Sequence, residues 1–305
     1  MPLLGRVRRG LRRRGWSPFV LVVLVPAILW FAVLRYLPIG YLAGLSLQTG
    51  AAGQSSYVGL ANYQTAMTDD VFHTAVLNTI EYTILLLGIQ IPLALLIAVG
   101  IDSIKSHTAR DTVLTLYFMP LVTSTVASAV VFVFLYHPIY GLFNFILGSL
   151  DLPTFSYLQD PSTALPSVAL MDIWKNLGFP VIIILAGLQT ISPELYDAAS
   201  VDGAGAWGRL RHITLPLLRP TLVLVLVMQA VETLRVFTPV YAMTGTGQRS
   251  PGGPINSTLV WSLYIYFQAF KFNQFGYAAA LAMLMFLVVA GAMVIQLTIV
   301  RRRAT

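Results

Sequence analysis

The stretch Ile191 to Pro220, ISPELYDAASVDGAGAWGRLRHITLPLLRP, is a polar and basic island lying between two long apolar runs. Ser192 can cap a helix whose first-turn position is the tolerated Pro193, and Glu194 and Asp197 place negative charge near its positive end. Asp202-Gly203 is a stop signal, because glycine accepts the left-handed conformation that ends helices. Ala204 to His212 then suits a second, basic helix. The expectation is a helix, a turn and a helix on a membrane surface. Ala198, Ala199 and Ala204 leave so little bulk near the turn that another protein's groove could close on this backbone.

Working outward, the rest of the chain reads as membrane. Of 305 residues, 57% are hydrophobic and only 10% are charged, too little polar surface to cover a water-soluble domain. There is no cysteine, so disulfides and thiolate metal sites are excluded. Arg6, Arg8, Arg9, Arg12, Arg13 and Arg14 precede an apolar run from about Phe19 to Leu34, which contains Pro26 and lacks an obvious small-x-small cleavage site. It reads as a retained first span rather than a signal peptide. Further runs long enough to cross the hydrocarbon layer lie near Val76–Ile101, Val113–Tyr136, Leu165–Thr190, Thr214–Thr238 and Gly276–Val300. The fold class expected is therefore all-α, a polytopic membrane protein of six transmembrane helices. Residues 1–16 form a basic segment, 17–300 a single transmembrane domain with a loop over 191–213, and 301–305 a basic tail.

The net charge of +7 reports topology rather than nucleic acid. With a cytoplasmic N-terminus, the six N-terminal arginines, Lys105, Arg110, Arg209, Arg211, Arg219 and Arg301 to Arg303 share one side, and only Arg249 and Lys271 fall on the other. That asymmetry places both termini and the island inside the cell.

Asp197-Ala198-Ala199, three residues, Gly203, nine residues and then Ile213-x-Leu215-Pro216 resembles the cytoplasmic EAA loop of permease subunits in binding-protein-dependent ABC importers. The longer string ELYDAASVDGAGAWGRLRHITLPLLRPT is similar to the carbohydrate branch, the maltose and glycerol-phosphate type. Asp197 stands where the family has glutamate, keeping the charge on a shorter arm. The resemblance implies a type I importer permease fold in which this loop is a coupling helix docking into an ATPase cleft, with Glu194, Asp197, Ala198, Ala199, Asp202, Gly203, Ile213, Leu215 and Pro216 at the contact. It further implies a second six-helix permease subunit, two ATP-binding-cassette subunits, an extracellular solute-binding protein and a sugar-like solute. Pro216 and Pro220 would set the angle at which span five leaves the loop.

Outer loops carry the same likeness more weakly. Tyr57-Val58-Gly59-Leu60-x-Asn62-Tyr63 resembles the family's entry into its second span, and Thr244-Gly245 to Gly252-Gly253-Pro254 with Ser257-Thr258 resembles its glycine-rich fifth loop, longer here around Gln248 to Pro251. Trp261, Tyr264, Tyr266 and Phe267 read either as an interfacial aromatic belt or as a face for a docking protein.

Arg35, Glu81, Asp172, Lys175, Glu232 and Arg235 are ionisable residues inside spans, each costly there unless paired or wet. All fall in the outer half. Asp172 with Lys175, and Glu232 with Arg235, are three apart and suited to pairing; Asn78, Asn176 and Gln229 extend the polar set. The expectation is a polar vestibule lined by spans two, four and five that receives a hydroxyl-rich solute, with Trp174, Phe179 and Tyr241 as flanking aromatics. Arg35 and Glu81 read equally well as side chains snorkelling to the interface. Three positive and three negative groups favour a neutral or weakly charged solute; a glycerol-phosphate derivative is compatible.

No glycine precedes any of the three lysines, Lys105, Lys175 and Lys271, so no phosphate-cradling loop is present. His73, His107, His137 and His212 are scattered and form no catalytic or metal motif. The chain is thus read as a non-enzyme without its own cofactor, and ATP and Mg would be held by partner subunits. Two other classes stay open: an ion-coupled secondary transporter relaying protons through Glu81, Asp172 and Glu232, which predicts inverted repeats, and a structural membrane protein without a solute path.

Overall fold

In the computed structural model the described residues are 18–50, 56–245 and 252–301, with side chains described over 22–50, 56–245 and 252–294. The six N-terminal arginines, Arg249, Arg302, Arg303 and the Gln248 to Pro251 insertion therefore lie outside the described residues. The protein is mostly helical. Among the described residues, four helices are long and apolar enough to span a bilayer, and two bent pairs bring the number to as many as six if each is one broken span.

The first helical run comprises α1 (Pro18–Phe31), a π turn at Ala32–Tyr36 and α2 (Leu37–Leu45). It is longer than the expected span, continuing through Arg35, and its spanning stretch Val22–Leu45 buries nothing within this chain. Pro38 lacks the N–H that would bond four residues back, and the wide turn directly before it makes room for the ring. A two-residue ribbon, β1 (Gln48–Thr49) and β2 (Ser56–Tyr57), pairs antiparallel with Gln48 opposite Tyr57 and leads into α3 (Ala61–Thr68).

Helix α4 (Asp70–Asp102) is the central post. Asp69 caps it, accepting from the Val71 and Phe72 amides and from the hydroxyls of Tyr264 and Tyr277, the latter at 2.6 Å. Burial alone would raise its pKa; the two phenols and two amides outweigh this and hold the carboxyl below its ordinary value.

The expected third span is not continuous. Helices α5 (His107–Val122) and α6 (Thr125–Leu135) meet at 96°. Thr123 and Ser124 between them are extended, and the Thr123 amide and hydroxyl both turn back to the Pro120 carbonyl. Next come α7 (Leu142–Ser149), α8 (Pro161–Asn176) and α9 (Gly178–Leu188), the last two bent by 48°. Pro180 withholds an N–H from the Asn176 carbonyl. Gly178 lets the α5 backbone close in: a Cβ there would lie 2.4 Å from the Tyr117 carbonyl oxygen.

The island forms α10 (Pro193–Val201), α11 (Ala206–Arg209), a π turn at Leu210–Thr214 and α12 (Leu215–Leu234). The expected second basic helix is not separate, because Ala206 to Leu234 runs on as one spanning helix. The π turn stands immediately before Pro216, the same device as before Pro38, so the prolines are carried inside the helix rather than starting it. After α13 (Thr238–Val240), helix α14 (Trp261–Tyr266) and α15 (Phe275–Arg301) complete the chain.

Tyr266 is half-buried, whereas Trp261, Tyr264 and Phe267 are buried, which corrects both readings for those three. They fill the core: Trp261 donates its indole N–H to the Leu281 carbonyl and takes an edge-to-face contact with Phe72.

Two apolar clusters hold the bundle. One gathers Phe72, Tyr82, Leu86, Phe132, Met171, Val240 and Trp261, and the other Ala94, Ala98, Val181, Ile184, Leu218 and Val225. Helices α4, α8 with α9, and α12 each contribute to this pair of clusters or to its borders, and each carries polar residues at the seam between them.

Candidate functional site

At that seam is a cavity of about 800 Å³. Its polar lining is Gln90 from α4, Asp172 and Asn176 from α8, and Gln229, Glu232 and Thr233 from α12, with Arg235 just beyond that helix. Phe179 also lines it, as do Leu121 and Thr125 flanking the break of the third span and Val289 and Met293 of α15.

Asp172 is buried and is the hub of the wall. Its two carboxylate oxygens accept from the Tyr82 hydroxyl and the Asn176 amide, both at 2.7 Å. Across the seam Gln229 donates to the Gln90 side-chain oxygen at 2.9 Å, joining spans that are 139 residues apart in sequence, and the Gln90 amide nitrogen has no partner among the described residues. A wall with spare acceptor capacity on Asp172 and a spare donor on Gln90 matches the donor and acceptor character of a hydroxyl group. At the edge, Arg235 pairs with Glu232 at 3.1 Å, both side chains exposed.

The structure thus brings together Asp172, Asn176, Gln229, Glu232 and Arg235 of the expected vestibule, and it leaves others out. Lys175 does not pair with Asp172: it is buried with Nζ 3.4 Å from the Leu121 carbonyl oxygen. Leu121 lies in the last turn of α5, whose final carbonyls have no partner along the helix, so the ammonium is drawn to that negative end. Trp174 packs against Phe132 instead, with centroids 5.1 Å apart, and Tyr241 stacks on Phe237. Asn78 donates to the Asn256 and Leu259 carbonyls, a tie between loop and helix, and Glu81 and Arg35 are exposed away from the cavity. Gln90 and Tyr82 were missed in sequence because neither carries a charge; the signal available was a lone amide inside the apolar run ILLLGIQIPLALL.

The island makes a knuckle. Ser192 occupies the N-cap position of α10 without a side-chain hydrogen bond, contrary to expectation, while Pro193 takes the first turn as read. Gly203 has φ of +77° and turns the chain, with the Ala204 amide donating to the Ala199 carbonyl at 2.8 Å. Two side-chain clips fasten the knuckle to the foot of α12: the Tyr196 and Thr214 hydroxyls lie 3.1 Å apart, and Arg209 donates to the Ser200 hydroxyl at 3.1 Å. No residue of α10 is buried. Glu194, Asp197, Ala198, Asp202 and Gly203 are exposed, Ala199, Ile213 and Leu215 are half-buried, and Pro216 is exposed. Val201 and Trp207 are 88% and 70% exposed, an apolar tip beside acidic groups.

Residues 90–305 match the model of the family described as binding-protein-dependent transport system inner membrane component. Among curated proteins, the chain is 34% identical over 265 residues to the arabinooligosaccharides transport system permease protein AraP of Bacillus subtilis, covering 87% of this chain and 82% of that one. It is 32% identical over 292 residues to the lactose transport system permease protein LacF of Rhizobium radiobacter, covering 95% and 94%. Among solved structures, a chain of the bacterial alginate ABC transporter in complex with alginate pentasaccharide-bound periplasmic protein superposes with a TM-score of 0.80 at 27% identity, covering 96% of this chain and 95% of that one.

Proposed function

Because the chain belongs to the family of binding-protein-dependent transport system inner membrane components, we propose that it forms half of the translocation pathway of an ATP-driven importer for a sugar or sugar-like solute. The supporting relatives are named for arabinooligosaccharide and lactose transport, and the similar solved structure for alginate with a periplasmic binding protein. In this reading the chain crosses the membrane six times, counting each bent pair as one span, with both termini and the knuckle in the cytoplasm. A second six-helix permease completes the pathway, an extracellular binding protein delivers solute, and two separate ATPase subunits hold ATP and Mg.

The mechanism follows from stiffness. Helix α10 is the coupling helix, and its exposed acidic and small residues with the apolar tip at Val201 and Trp207 are the docking face. Motion of the ATPase pair pushes on α10, and the Tyr196–Thr214 and Arg209–Ser200 clips pass it into α12 as one body. That helix carries Gln229 and Glu232, so the push reaches the cavity wall directly. Solute hydroxyls are met there by Asp172, Asn176, Gln90 and Gln229, with Glu232 and Arg235 at the entrance.

The observation that carries this reading is the clipped, largely exposed α10 at the foot of a helix that lines the cavity. It is tested by reconstituting the permease pair with and without its ATPase subunits and measuring saccharide uptake into vesicles. Uptake requires the ATPase and ATP; uptake by the permease alone, driven by an ion gradient, would overturn it.

A further inference from the structure

Helix α7 is built inside out. Its one strongly polar residue, Asn144, is buried, donating through its amide to the Pro138 and Phe155 carbonyls at 3.0 and 2.8 Å and accepting from the Phe155 amide at 3.1 Å. These bonds reach both strands of the loop that flank the helix, so its rotation is set: the polar face is turned in. Leu142, Phe145 and Ile146, at the i, i+3, i+4 spacing of one helical stripe, are turned out and exposed, Phe145 by 72%. Ile139, Tyr140, Leu150 and Leu152 extend the exposed apolar surface on both sides. A water-facing loop would be expected to show the reverse, and apolar surface of this extent marks a contact.

We propose that α7, with the loop on either side of it, lies in the interface of the lipid bilayer, its Leu142–Phe145–Ile146 stripe buried among the upper acyl chains. Three features favour lipid over a protein as the occupant. The exposed stripe continues that of the preceding helix, where Val126, Val130 and Phe134 recur every fourth residue and are exposed. From Tyr136 to Asp160 the sequence contains no lysine, arginine or glutamate, and its two carboxylates, Asp151 and Asp160, are both exposed, so the surface is poor in the charged, hydrogen-bonding rim that protein interfaces carry. Tyr140 beside it has the amphipathic ring that belts of this kind use at headgroup level. Anchored there, α7 would brace the outer end of the broken third span at the membrane surface.

The absence of cysteine makes the test direct. Phe145→Cys, and independently Ile146→Cys, are labelled with an environment-sensitive nitrobenzoxadiazole probe in the assembled complex in phosphatidylcholine vesicles, with the unsubstituted complex as blank. Blue-shifted emission is expected, with quenching by doxyl groups near the headgroup at least about twofold stronger than by iodide in the water. Stronger quenching by iodide would place α7 in solvent, and stronger quenching by doxyl groups near the chain ends would place it in the hydrocarbon core. Blue-shifted emission insensitive to both would mean that a protein covers it. Any of these three results overturns the proposal.

Discussion

The knuckle and the cavity are made in opposite ways. Every bond that shapes the knuckle joins residues fewer than twenty positions apart, such as Tyr196 to Thr214 and Arg209 to Ser200. The cavity is made of bonds such as Tyr82 to Asp172 and Gln90 to Gln229, 90 and 139 positions apart. The first is exposed and stiffened locally, a shape offered to something outside the chain; the second depends on the packing of the whole bundle. Damage to the knuckle should therefore uncouple without unfolding, and damage to the cavity wall should do both.

The largest effect is expected for Asp172→Ala. It orphans the buried Tyr82 hydroxyl, at a cost of about 1–3 kcal/mol for such a group, and frees the half-buried Asn176 amide. Thermal unfolding in detergent should come earlier and uptake should fall to background; a stable variant with full uptake would break the cavity half of the contrast.

Next is the acid response of the Asp69 cap. Because Asp69 is held below its ordinary pKa when folded, its contribution is present above about pH 4, the value in the unfolded chain, and is lost as pH falls through the lower folded value. Asp69→Asn should remove that limb of the stability profile while leaving the remainder parallel, and an unchanged acid limb would exclude the carboxylate as its source.

Gly203→Val puts a β-branched side chain at φ of +77°, costing about 1–2 kcal/mol locally. Because that cost falls on an exposed turn, ATPase stimulation by saccharide should drop while the unfolding midpoint of the permease pair moves little. Loss of the fold instead would erase the distinction between the two regions.

Smallest is Tyr196→Phe, which deletes one clip worth about 0.5–1.5 kcal/mol. ATP turnover should persist with less saccharide imported per ATP, sharpening the assignment of stiffness to that bond.

This difference in construction also explains what could be read beforehand. Gly203, Pro193 and the spacing to Leu215-Pro216 are local signals, and the turn was legible to the residue. The six apolar runs were legible because bilayer thickness sets their length, but their breaks were less so. The 96° bend depends on Thr123 and Ser124 going extended beside Pro120, which hydropathy does not register. Charge at depth drew attention to Asp172, Glu232 and Arg235, all of which line the cavity. It misdirected for Lys175, whose partner is a backbone carbonyl freed by a break that the sequence did not announce. Gln90 escaped notice because an uncharged amide in an apolar run becomes informative only once its partner on another span is known. Ser192 is a milder miss: the residue suited to capping stands at the cap but makes no side-chain bond there.

The most direct measurement of the central claim uses Val201→Cys, at a highly exposed position of the knuckle in a chain with no other cysteine. A membrane-impermeant maleimide should label it in inside-out vesicles and not in right-side-out ones, and assembly with the ATPase subunits should protect it. Labelling from the outer face, or labelling unchanged by the ATPase, would contradict the account.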